Sequence, residues 1–249
     1  MGRLRGTAGP CVVVALLLPA VAGCGSLPEE PLPERGFGLR YEKPVAADKL
    51  NYRFLRDWNL PGLVVADLNA YVDLPHLVTV VARSCHGEGT GYDPDARRIE
   101  LCYDDLTEQS ELVTRGSEGL AEIVRETLYH EAGHALIDAL DLPTEEGRAE
   151  EDAADRFAQV MLLRDPEGDD TLLVAARAYE RAAAAEREPD PSDEHAPDAV
   201  RAESHRCAVY GHSPDRHKDL ATPARSDCAA TWAGTRDTWT RDLAPLLRR

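Results

Sequence analysis

Aromatic residues make up only 6 % of this 249-residue chain, and Lys+Arg 28 stand against Asp+Glu 45, for a formal charge of -17. Few aromatics beside 17 prolines imply a modest core carrying sizeable loops. The shortage of clustered Lys and Arg removes the electrostatic footprint that phosphate backbones require, so no nucleic-acid partner is expected. No apolar run is long enough to span a bilayer as a stable helix. No C-x-x-C spacing offers a four-cysteine zinc site, and no internal repeat marks a solenoid. What remains, with 43 % hydrophobic and 29 % charged residues, has the balance of one globular domain with a real core.

Arg3 and Arg5 precede a short apolar stretch, Cys11 to Ala22, in the pattern of a secretory signal. The stretch ends Val21, Ala22, Gly23, Cys24, which resembles the lipobox of bacterial lipoproteins. Residues 1–23 are therefore expected to be a lipoprotein signal peptide, residues 24–35 a flexible tether rich in proline and glutamate, and residues 36–249 a single domain. Removal of 1–23 deletes two arginines and no acid, taking the charge from -17 to -19. Anionic lipid repels so acidic a surface, which leaves acyl chains on Cys24 to hold the membrane. The expected location is extracytoplasmic, lipid-anchored to the bacterial cell membrane. Export places Cys85, Cys102, Cys207 and Cys228 in an oxidising compartment. Nearest-neighbour pairing, Cys85 with Cys102 and Cys207 with Cys228, closes two short loops, each stabilising by roughly 3 kcal/mol in the chain-entropy picture.

Phe37 to Tyr41 and His76 to Ala82 read as strands, the second β-branched through most of its length. Short helical stretches lie between them, around Asp48 to Trp58 and Leu63 to Tyr71. Tyr92, Asp93, Pro94, Asp95 signals a turn, and Arg98 to Tyr103 reads as the return strand of a hairpin-like unit stapled by Cys85 and Cys102. Helical periodicity then takes over, from Glu118 to Leu140, Arg148 to Leu163 and Leu172 to Arg187, with two further helices around Cys207 and Trp232. The expected fold is α+β, with a small, mainly antiparallel sheet packed on these helices.

The informative stretch is His130, Glu131, Ala132, Gly133, His134. Residues four apart on a helix lie about 40° from one another, so both imidazoles can reach one metal ion. Glu131 falls beside them, where its carboxylate could take a proton from a water the metal activates. Catalytic zinc wants a third protein ligand and an open position. Downstream, Glu151, Ala154, Asp155, Ala158, Met161 and Leu162 share helical spacing, which puts two carboxylates on an apolar stripe. Buried carboxylates need partners. A metal for Glu151 and the free imidazole N–H of a ligating histidine for Asp155 would satisfy both. Glu150 heads a rival stripe, rotated by about 100°, but one turn past it stands Ala154, which can orient nothing. Glu150 is accordingly expected to leave the metal unaffected.

H-E-x-x-H followed by E-x-x-x-D resembles the gluzincin branch of zincin metallopeptidases, and the short separation of the two helices is similar to the compact minigluzincins. More narrowly, the chain resembles a bacterial family of secreted metallopeptidase-type proteins of unknown physiological role. That likeness rests on Cys85 through Tyr92, Asp93, Pro94 to Cys102 and Tyr103, on the His130 helix, on Glu150 to Asp155, and more weakly on Asp193 to His195 and Arg206 to Gly211. The family pattern has an asparagine near Gly89 and Thr90, which this chain lacks. The resemblance implies a zincin-like fold, one Zn2+ per chain held by His130, His134 and Glu151, Glu131 as general base and then acid, Asp155 orienting a ligand histidine, and a peptide or protein substrate. The donor that assists the oxyanion is open among His195, His205, Tyr103 and Tyr210, with His195 ranked first. The competing class is a non-catalytic surface lipoprotein that uses a zincin fold as a binding module; an intact Glu131 argues against it.

Overall fold

The β-branched run Leu77–Arg83 forms an inner strand of a four-stranded sheet, with its valines buried. In the computed structural model, which describes residues 31–143, 147–185 and 193–248, the strands are β1 (Gly36–Tyr41), β2 (Leu77–Arg83), β3 (Gly91–Asp93) and β4 (Arg98–Cys102), ordered β1-β2-β4-β3. All described residues belong to one unit. The expected signal peptide, Cys24 and most of the expected tether lie outside them.

The α+β class holds, but the sheet is mixed rather than mainly antiparallel. β1 pairs β2 in parallel, β2 pairs β4 in parallel, and only β3 and β4 run antiparallel. The first parallel pair follows from a helical crossover: α1 (Lys49–Trp58) and α2 (Leu60–Tyr71) carry the chain back to the start of β2. The second has a different cause. The chain reverses twice between β2 and β4, once through the loop where His86, Gly87 and Gly89 take positive φ, and again at Pro94–Arg97. The three-residue β3 lies between the two reversals, so β4 regains the direction of β2 and inserts beside it. Sequence pattern shows one turn and misses so short a strand. Parallel register sets Arg83 opposite Cys102, so both cysteines reach the same end of the sheet and join as Cys85–Cys102, Cα atoms 5.3 Å apart.

Eight α-helices occur among the described residues. A seven-residue helix, α3 (Asp105–Glu111), follows the sheet and leads into the 24-residue α4 (Gly116–Ala139). Leu120, Val124, Leu128, Ala132 and Ala135 of α4 are buried in the main core with Phe37, Ile99 and Phe157. The helices α5 (Arg148–Leu162), α6 (Gly168–Ala185), α7 (Asp198–His212) and α8 (Cys228–Asp242) complete the fold. Cys207–Cys228 ties α7 to the start of α8.

Helix α4 meets α5 more closely than ordinary side chains allow. A Cβ built on Gly133 would fall 2.9 Å from the Ala154 Cα, inside van der Waals contact, so the glycine is what lets the two backbones approach. Ala154, on the facing side of α5, is fully buried. This contact sets the distance between the histidines of α4 and the acids of α5.

Candidate metal centre

His130 and His134 lie one turn apart on α4 with their Nε2 atoms 3.2 Å from each other. Each uses its other nitrogen on a carboxylate of α5: His130 Nδ1 lies 2.8 Å from Asp155 Oδ1, and His134 Nδ1 lies 2.9 Å from Glu150 Oε1. An ionised carboxylate only accepts, so both Nδ1 atoms carry the proton and both Nε2 atoms present lone pairs. Glu151 Oε2 stands 3.1 Å from His130 Nε2 and 3.3 Å from His134 Nε2. Those distances fall within ion-pair range, yet this buried oxygen makes no hydrogen bond of acceptable geometry. Three electron pairs thus converge on one point, an arrangement that is repulsive until a cation occupies it.

The spacing and the donor set fit a metal. An ion with tetrahedral bonds of about 2.0–2.1 Å separates its ligand atoms by about 3.3–3.4 Å, close to the three observed edges. Two imidazoles and one carboxylate, grouped within 4.8 Å, are borderline donors of the kind that a divalent transition metal takes. Burial by itself would lower the His130 pKa, yet the Asp155 and Glu151 carboxylates outweigh it and push the ring up to about 10. Burial likewise opposes the charge on Glu151, but the three surrounding imidazoles hold its carboxyl far below the usual range. Without an ion, protons fill the role a metal would take.

Beyond the ligand atoms, the structure adds groups that sequence reasoning does not name. Asp155 also accepts from Arg201 of α7, at 2.7 Å from Nη2 and 3.0 Å from Nε. The Arg201 guanidinium lies 4.3 Å over the Tyr179 ring. Nothing local in the sequence signals Arg201, because the contact spans 46 residues. Glu150 takes up a contact that its sequence neighbours did not signal. One residue before the ligand and 100° around the helix, it reaches the second histidine, so each imidazole has its own carboxylate.

Glu131 is 6 % exposed, and burial raises its carboxyl above the ordinary glutamate range. It faces two cavities. One, of about 720 Å³, opens along Thr90, Gly91 and Tyr92 of the edge strand; the other, of about 240 Å³, runs between α4, α6 and α7. The edge strand is fixed from both ends. Tyr92 donates its hydroxyl to Asp138 on α4, and the Thr90 N–H and hydroxyl both reach Asp105 Oδ2 at 2.7 Å. In this chain Thr90 thus anchors the segment where the family pattern has asparagine nearby.

Of the four candidate oxyanion donors, only His195 reaches the cluster. Its Nε2 lies 2.9 Å from Glu151 Oε2, its ring stacks on His130 at 5.7 Å, and Nδ1 meets Asp193 at 3.0 Å. The contact with Glu151 raises its pKa against burial. His205 is instead enclosed against Glu126 and Gln159, and Tyr103 spends its hydroxyl on the Ala82 and Glu42 carbonyls. Tyr210 does not line either cavity.

No curated protein and no solved structure matches the chain. A family model does match it, over residues 41–243 and so across β2 to β4 and every candidate ligand residue, and the chain belongs to that family, described as "putative metallopeptidase".

Proposed function

We propose that this protein is a zinc-dependent peptidase that cleaves peptide bonds outside the cytoplasm, held to the membrane by lipid on Cys24. The observation that carries the catalytic reading is the convergence of His130 Nε2, His134 Nε2 and Glu151 Oε2 at separations of 3.1 to 3.3 Å. Membership in a metallopeptidase family supports the reaction class and a peptide or protein substrate. His130, His134 and Glu151 would hold the ion, which supplies Lewis acidity to the scissile carbonyl and lowers the pKa of a water.

The remaining work falls to protein side chains. Glu131, shielded from solvent, accepts the proton of the attacking water and returns it to the departing amine; burial makes it the stronger base for that task. His195 donates from Nε2 to the oxygen that gains negative charge, while Asp193 holds the ring. Asp155 and Glu150 fix the two ligand imidazoles. The edge strand, pinned at Thr90 and Tyr92, offers free backbone groups to an extended peptide.

The test is peptide hydrolysis by the wild type, the chelated protein and Glu131→Gln. Chelation abolishes cleavage, and Glu131→Gln retains about one zinc per chain while losing at least about a hundredfold in kcat. Cleavage that survives Glu131→Gln would overturn the assignment of the base.

A further inference from the structure

Helix α1 carries an apolar stripe whose two ends are exposed and whose middle residue, Phe54, is half-buried against the core. Leu50, Phe54 and Trp58 recur four residues apart and so line one flank, while Leu55 faces inward and Asn51 binds the Tyr103 carbonyl. Leu50 is 75 % exposed and Trp58 43 % exposed, with the Phe54 and Trp58 rings 5.6 Å apart. The other two tryptophans, Trp232 and Trp239, are buried.

Lys49 and Arg53 occupy the neighbouring flank, and Lys43 precedes the helix; all three are exposed. None of them has an acidic partner among the described residues. Exposed Leu50 and Trp58, with half-buried Phe54 between them and Lys49 and Arg53 alongside, form the kind of surface by which a helix lies in the headgroup boundary of an anionic bilayer. A two-fold contact between copies would instead bring the same unpaired bases together. Exposed Asp57, one turn past Arg53 on the same flank, offsets one of these bases, while acidity farther away than a Debye length, about 8 Å at physiological salt, is largely screened.

The tether length agrees. Eleven residues lie between Cys24 and Gly36, an extended reach of at most about 43 Å, so a lipid on Cys24 keeps the domain within that distance of the bilayer. That point rests on the proposed anchor; the stripe and its bases do not.

We propose that the outward face of α1, Leu50, Phe54 and Trp58 with Lys49 and Arg53, docks on an anionic phospholipid surface and orients the domain there. The test mixes the full chain with phosphatidylglycerol/phosphatidylcholine vesicles whose acyl chains are brominated or not, and reads tryptophan emission. Brominated lipid quenches the Trp58 contribution about twofold, and the quenching is absent in Trp58→Phe. It falls severalfold in Lys49→Glu/Arg53→Glu and on pure phosphatidylcholine, with solution peptidase activity unchanged. In Cys24→Ser it persists at higher lipid concentration. Emission indifferent to bromination at every lipid concentration would overturn the docking while leaving the peptidase reading intact, as would equal quenching in the charge-reversed variant or a dimer that Leu50→Ser dissolves.

Discussion

Asp155 joins the candidate ligand His130 to Arg201, and removing it separates orientation of the metal site from stability of the fold. Its side chain is 7 % exposed and that of Arg201 11 %, so neither charge has water to fall back on. Arg201 outweighs the burial of Asp155 and, with His130, holds its carboxyl well below the usual range. Asp155→Ala leaves the guanidinium buried and unpaired, which costs about 3–5 kcal/mol and lowers Tm by roughly 6–20 °C for a domain of this size. It also frees the His130 ring, and loss of such a carboxylate usually weakens metal binding about 10–100-fold, or about 1.4–2.7 kcal/mol. Asp155→Asn keeps the volume and an acceptor for Arg201 but loses the charge. Combining it with Arg201→Met removes the orphaned cation as well. We expect the double variant to regain much of the Tm lost by Asp155→Ala while its zinc affinity, measured by competition with a chromophoric chelator, stays at least about tenfold below wild type. If affinity recovers together with Tm, or if Asp155→Asn binds zinc like wild type, Asp155 does not act by orienting His130.

Glu151→Ala is expected to abolish stoichiometric zinc binding, whereas Glu150→Ala, which loses only the partly exposed support of His134, weakens it by less than Asp155→Ala; equal losses at 150 and 151 in the same titration would mean both acids ligate. Gly133→Ala drives a methyl into the Ala154 backbone, so Tm and zinc affinity should fall together, and a variant with unchanged affinity would show that the α4–α5 spacing does not govern the site. Mass spectrometry of the membrane-extracted protein should find a diacylglyceryl-modified Cys24 as the first residue, a shift absent in Cys24→Ser; an unmodified N-terminus elsewhere would remove the anchor.

Patterns within a few residues carry most of what can be read from the chain alone. Helical periodicity placed α4 and α5 within about two residues of their ends, because an amphipathic stripe and a flanking proline or glycine act locally. The four-residue spacing of His130 and His134 and the Glu151–Asp155 pair were legible for the same reason: helix geometry converts spacing into direction. Pairing of the four cysteines followed from their order, since each loop is short. Tertiary structure decided what depends on distant partners. The parallel register of β2 with β4 needed a second reversal that a three-residue strand does not announce. Glu150 acquired its partner only once the close contact at Gly133 brought α5 against α4. Arg201 and His195 arrive from α7 and the loop before it, more than forty residues beyond the acids they meet. A sequence specifies directions along each helix, but which charges face one another across a core is settled by the packing that encloses them.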